Sequence, residues 1–324
     1  MKRYLLTLAV VIALTLYLIN QGQFPLTGAQ MLEGLLLPDA KSSFVMRELR
    51  LPPIAGAVLA GAAFGIAGLV FQRVLGNNLA TPDVIGISMA SGFAAVLGIS
   101  MGITSSLLIS AGAVLGGLVA TAIVLLLSLR SSRFNFSLIL NGVAIGYLAT
   151  AGVNYLLSLA DLRGSQQIYG WLIGTTGFAS YKDLGWAILG IGLTLLALFF
   201  VRKPIHALEL GEATSQSIGY APSHWRWIAL GLAVLLSSLA TALVGPLAFV
   251  ALTAPVLSRT LIHPYRYNYL GSATIGAGLT LGADAIHQLV FPNLGLPTGL
   301  TTGLVGAPIL IYILWRGRVS GELR

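Results

Sequence analysis

The sequence predicts an all-α integral membrane protein with about ten transmembrane helices and both termini on the cytoplasmic side. Three observations carry that prediction. Hydrophobic residues make up 56% of the 324 positions and charged residues 9%, whereas an average soluble domain carries about 25% charged residues. The apolar residues gather into successive runs of span length, and mean hydropathy reaches +0.88. The basic residues sit between alternate pairs of those runs. Runs of ~20 apolar residues match the ~30 Å hydrocarbon thickness, and helices satisfy their backbone hydrogen bonds within one segment there.

Taken in order, the spans are predicted at 4–20, 51–72, 84–103, 106–128, 136–158, 184–201, 227–245, 247–262, 269–290 and 298–315. The first follows Met1-Lys2-Arg3 and runs from Tyr4 to Ile19. That run exceeds a signal-peptide core and no small-x-small cleavage site follows Asn20, so it reads as a retained span. The second contains Gly56, Ala60, Gly61, Gly65 and Gly68, small residues that let helix backbones approach closely in lipid. The eighth is short for a span.

Charge fixes the orientation. With the N-terminus inside, Lys2, Arg3, Arg73, Arg130, Arg133, Arg202, Lys203, Arg226, Arg259, Arg266, Arg316, Arg318 and Arg324 are cytoplasmic. Lys41, Arg47, Arg50, Arg163 and Lys182 are outside, a ratio of 13 to 5 that satisfies the positive-inside rule. The net charge of +8 therefore reflects topology, and nucleic acid is not an expected partner. No polar linker divides the chain, so residues 1–324 read as one membrane domain.

Three polar segments exceed simple turns: Gln21 to Arg50 outside, Asp161 to Asp183 outside with Trp171, and Arg202 to Arg226 inside. Cysteine is absent and His206, His224, His263 and His287 are scattered, which excludes thiolate sites and gives no metal-ligand spacing. No Gly-Lys-Ser/Thr phosphate loop, His-Glu-x-x-His or Gly-x-Ser-x-Gly motif is present, so neither nucleotide binding by that loop nor those hydrolytic chemistries is expected. Asp284, three residues before His287, is the clear acid within a span. An intramembrane acid is a functional candidate by default, and its place near the outer end of the span fits hydrogen-bonded packing equally well.

A set of ordered motifs then resembles the permease subunits of iron-siderophore and vitamin B12 ABC importers. They are Arg50-Leu51-Pro52, Ala60-Gly61-Ala62-Ala63, Gly68, Gln72, and Asn77-x-Leu79-Ala80-x-Pro82-x-x-x-Gly86-x-Ser88. Leu140-x-Gly142-Val143-Ala144, Gly170-Trp171-Leu172-x-Gly174 and Leu210-Gly211-Glu212 follow. Gly245-Pro246-x-x-Phe249-Val250, Pro255, Arg259, Ala283-Asp284, Leu296-Pro297-x-Gly299 and Gly306-Ala307-Pro308 complete the series. Order and spacing across 50–316 make the resemblance specific.

The resemblance implies the vitamin B12 permease type of fold, in the bacterial cytoplasmic (inner) membrane. It implies a second permease subunit in a homo- or heterodimer, two cytoplasmic ATPase subunits and an extracytoplasmic substrate-binding protein. ATP would be used by those partner subunits, with no cofactor on this chain and no enzyme activity of its own. The cargo implied is an iron-siderophore complex, with haem or cobalamin next.

Residue by residue, the family's ATPase-coupling helix falls on the 202–226 loop. Leu210, Gly211, Glu212, Ser217 and Gly219 match it, while Ala213 and Gln216 replace a family glutamate and arginine. Gly219 is placed to supply a left-handed stop and Pro222 to prevent continuation. Outside, Arg47 and Arg50 read as exposed charges that orient an acidic binding protein. Arg50 fits the first arginine of the family's Arg-Leu-Pro-Arg, Pro53 replaces the second, and Gln288 stands where a further arginine is expected. Those departures point to docking shared with a different second subunit. A rival reading, an ion-gradient-driven secondary carrier, requires more buried ionisable groups than these spans contain.

Overall fold

A computed structural model describes residues 2–21, 26–37, 42–128, 134–262, 268–290 and 296–319. Thirteen α-helices occupy most of them: α1 (Lys2–Asn20), α2 (Gly28–Leu36), α3 (Leu51–Leu75), α4 (Ile87–Ser100), α5 (Ser106–Ser128), α6 (Phe134–Leu159) and α7 (Leu162–Ile173). After these come α8 (Tyr181–Glu209), α9 (Glu212–Ser217), α10 (Pro222–Val244), α11 (Val250–Leu261), α12 (Tyr269–Val290) and α13 (Thr298–Val319). Each predicted span has its helix. Arg130, Arg133, Arg266, Arg324 and Lys41 lie outside the described residues.

Six helices are long and apolar enough to cross a membrane by length and composition: α1, α3 with the turn before it, α5, α6, α8 and α10. α4, α11 and the 298–313 part of α13 are apolar but shorter. At 1.5 Å per residue, the 14 residues of α4 and 12 of α11 reach only about two thirds of the hydrocarbon thickness. Both begin late because the residue before each is left-handed: Gly86 at φ +71° and Phe249 at φ +65°. Left-handed geometry costs a non-glycine residue about 1–2 kcal/mol, so Phe249 must be held by its surroundings. Its side chain fills the space beside Gly306, where a Cβ would overlap it.

α3 and α10 form the centre, each 72% buried over its span window, against 6% for α1 at the periphery. α3 packs on α8, α10, α11 and α12. Its glycine face explains how: a side chain at Gly65 would overlap the Ser272 carbonyl of α12, and one at Gly68 the Ala251 carbonyl of α11. This is the close backbone approach expected of small residues in lipid. A second group, α4 with α5 and α6, packs against α10, where Gly142 of α6 meets Ile85 before α4.

The structure departs from the predicted sixth span. α8 does not stop before Lys203-Pro204 but continues through Pro204 to Glu209. Proline removes one intrahelical hydrogen bond, and burial of Pro204, Ile205 and Ala207 holds the last turns in place. With α10 starting at Pro222, the inner connection is a short arm rather than a long loop.

Candidate functional site

Four of the motifs meet at the outer end of the bundle. Gly174 follows α7 at φ +75°, and a side chain there would overlap the Pro246 carbonyl. Gly299 donates its N–H to the Gly174 carbonyl at 2.9 Å, and Thr175 donates to Val244 at 2.7 Å. A Cβ at Gly299 would overlap the Ile173 carbonyl. Side chains finish the junction around Asp284. Thr298 donates to one carboxyl oxygen at 2.7 Å and Thr176 to the other at 2.9 Å. The two hydroxyls also meet at 3.0 Å. Asp284 thus ties α12 to the α7–α8 connection and to the start of α13.

Beside this junction lies an outer cavity of about 350 Å³, lined by residues that include Arg50, Thr176, Asp284, His287 and Gln288. Arg50 differs from its sequence expectation. It is only 7% exposed, at the end of a π-helical turn over Val45–Arg50, and its guanidinium donates to the Ile19 carbonyl. Arg47 donates from Nε to the Gly34 carbonyl at 3.1 Å and from its guanidinium to Leu35. Helix C-termini leave carbonyls without intrahelical partners, and cations are favoured there. The ends of α1 and α2 therefore draw both arginines inward. Arg163 and Lys182 are the exposed basic residues among the described outer residues.

At the inner end, the last turns of α3 and the residues after it form a polar hub. Gln72 donates to the Leu252 carbonyl of α11 at 3.1 Å. Arg259 of α11 donates to Gln72 at 3.1 Å and to Asn78 at 2.6 Å. Next to Gln72, Arg73 pairs with Glu209 at 3.0 Å, with side-chain exposures of 1% and 22%. The Arg73 guanidinium also lies over the Tyr269 ring, 4.8 Å from its centroid.

From Glu209 the chain passes Leu210 to the arm. Gly211 stands at φ +93° before α9 and Gly219 at φ +89° after it, both in open space. Gly219 donates to Gln216 at 3.0 Å and Tyr220 to Ser215 at 3.0 Å, the paired bonds of a Schellman stop. Ser217 donates to Thr214 at 2.8 Å. Glu212 accepts from Arg226 at 2.8 Å, which orients α9 against α10. Leu210 and Ile218 remain 62% and 53% exposed, so the arm presents two apolar side chains on the cytoplasmic face.

Sequence reading singled out Leu210, Gly211, Glu212, Ser217 and Gly219, and they share this arm. It also named Asp284 and Arg50, which line the outer cavity, and Arg47, on the same turn as Arg50. It missed Thr176, Thr298, Ile218 and the Arg73–Glu209 pair. Threonines and lone charges in these contexts carry no pattern, and only tertiary contact reveals their roles. Among the described residues no group of His, Cys, Asp and Glu side chains has the arrangement of a metal site.

Residues 7–316 match the FecCD transport family. The Fe(3+)-citrate import system permease protein YfmE of Bacillus subtilis is 30% identical over 313 residues, covering 96% of this chain and 94% of the relative. The ferric enterobactin transport system permease protein FepG of Escherichia coli is 31% identical, covering 86% of this chain and 85% of the relative. The vitamin B12 import system permease protein BtuC of Serratia proteamaculans is 30% identical, covering 86% and 83%. Among solved structures, a metal-chelate type ABC transporter in an inward-facing conformation superposes with a TM-score of 0.86 at 24% identity, covering 97% of this chain and 99% of that one. At that identity the likeness shows the fold.

Proposed function

Because the chain belongs to the FecCD transport family, we propose that it is the permease subunit of an ATP-driven importer that carries an iron chelate across the cytoplasmic membrane. The observation that carries this reading is the near full-length similarity to a ferric citrate permease, 96% of this chain against 94% of the relative. The inner arm and the outer cavity supply the two surfaces that such a subunit needs.

The division of labour in this reading is the one that the family resemblance implies. ATP hydrolysis belongs to two cytoplasmic ATPase subunits, and delivery of cargo to an extracytoplasmic binding protein. A second permease subunit completes the pathway. α9, with Leu210 and Ile218 as apolar anchors and Glu212 at its start, is the surface offered to an ATPase. Its two positive-φ glycines let the segment stand off the bundle as a compact knob. Small displacements at such a knob become helix shifts in a tightly packed bundle.

At the outer face, Arg50 lines the cavity wall. An acidic side chain of the binding protein entering the cavity meets that guanidinium, with Arg47 on the same π-helical turn. Such pairing orients the encounter and speeds it more than it tightens it. Asp284 lines the same cavity as a packing residue of the junction.

Cobalamin is the second reading of the cargo, favoured by a vitamin B12 permease relative at 30% identity. Competition decides between them. Uptake by cells expressing the complete transporter should be blocked by excess ferric chelate and unaffected by excess cobalamin. The opposite pattern assigns cobalamin.

A further inference from the structure

The inner hub places an ion pair, buried on its arginine side, at the base of the arm. Arg73 lies in the last turn of α3, and Glu209 is the final residue of α8, separated from α9 only by Leu210 and Gly211. Their charges are 3.0 Å apart, with the arginine side chain 1% exposed. An ion pair with a buried partner resists separation, because parting it leaves an uncompensated charge away from water. The inner ends of α3 and α8 are therefore held to move together.

The neighbours of that pair extend the link. Gln72, one residue before Arg73, is bonded to α11 through Leu252 and Arg259. Tyr269, under the Arg73 guanidinium, is the first residue of α12. Three inner helix ends thus converge on two adjacent residues of α3. On the arm side the backbone offers little resistance to bending, since Gly211 is left-handed and has no atom within 4 Å of an added Cβ. A push on α9 that is absorbed at Gly211 goes no further. A push that reaches the bundle through the end of α8 passes Glu209, whose charge is anchored by Arg73.

We propose that the Arg73–Glu209 pair is the link by which displacement of α9 reaches α3, α11 and α12, so that both act as positioning residues for energy coupling. This rests on the importer reading above, in which an ATPase subunit engages α9. The His206 ring, 3.6 Å from the second Glu209 oxygen, is on the exposed side of the pair and is not part of the link.

The absence of cysteine in this chain simplifies the test, since with cysteine-free partner subunits the labels sit only at the chosen positions. Two spin-label pairs are built in the full complex with ATPase subunits: Gln216→Cys with Phe136→Cys reports α9 against α6, and Thr260→Cys with Phe136→Cys reports the inner end of α11 against α6. Distances are compared in the nucleotide-free state and after trapping with ADP and vanadate. With the native pair, both distances shift on trapping. In Arg73→Met/Glu209→Met, which removes both charges and leaves none stranded, the α9 shift persists and the α11 shift is lost. Glu209→Gln, which keeps a neutral partner for Arg73, reduces the α11 shift, and the swap Arg73→Glu/Glu209→Arg restores it. An α11 shift of native size in the double Met and Gln variants overturns the link while leaving the importer reading intact. A native complex in which α9 itself does not move on trapping overturns the importer reading and the link with it.

Discussion

Thr298 donates its hydroxyl hydrogen bond to Asp284 at 2.7 Å, and this contact fastens the first residue of α13 to the outer part of α12. Thr176 approaches the same carboxyl group from the other side at 2.9 Å. Asp284 thus joins three segments. Asp284→Ala should lower the thermal midpoint of the purified protein in detergent, because each hydrogen bond contributes about 1 kcal/mol net, or about 1.5–3 kcal/mol if the carboxyl is ionised. Thr176 and Thr298 keep their mutual contact, so the fold should survive. An unchanged midpoint would show that the junction is held by backbone contacts alone.

Those backbone contacts make a separate prediction. Gly299→Ala places a methyl group against the Ile173 carbonyl, whereas Gly282 of the neighbouring helix faces open space. Gly299→Ala should therefore destabilise the protein by roughly 1–3 kcal/mol, the range of overpacking, and Gly282→Ala should be nearly neutral. Equal effects at the two positions would contradict the close approach of α13 to the end of α7.

The coupling arm is tested by separating folding from assembly. The Glu212–Arg226 pair is solvent-facing at Glu212, 66% exposed, and such pairs contribute only about 0–1 kcal/mol. Glu212→Ala with Gly219→Ala should thus insert normally yet copurify with less ATPase. Full copurification together with full ATP-dependent uptake would reduce α9 to a connector.

For the outer face, salt is the discriminating variable. Charge pairing is screened over a Debye length of about 8 Å at physiological ionic strength. Arg50→Glu in the full complex should slow binding-protein association, flatten its salt dependence and impair uptake at low chelate concentration. Arg47→Glu should act in the same direction. Association kinetics unchanged across a salt series would leave Arg50 as a cap on the end of α1.

The span pattern was legible because apolar runs and basic residues follow the bilayer directly. The glycines of α3 were legible as packing residues, and Gly211 and Gly219 as the bounds of a short inner helix. What escaped is set by tertiary geometry. Arg50 reads as an exposed outer charge, yet a π-helical turn rotates it beneath the end of α1. The sixth span is predicted to end at 201, yet burial of Pro204 and Ile205 carries α8 onward to Glu209. Arg73 and Glu209 are each unremarkable in sequence, and their pairing exists only because α3 and α8 finish side by side.

The most direct measurement of the central claim is uptake into sealed vesicles that contain this chain, a partner permease and the ATPase subunits, with binding protein supplied outside. Radiolabelled iron presented as ferric chelate should enter only when ATP is inside the vesicles, and collapse of the ion gradients should leave the rate unchanged. Omitting the ATPase subunits should abolish uptake. Entry driven by this chain alone, following an imposed ion gradient and indifferent to ATP, would contradict the account.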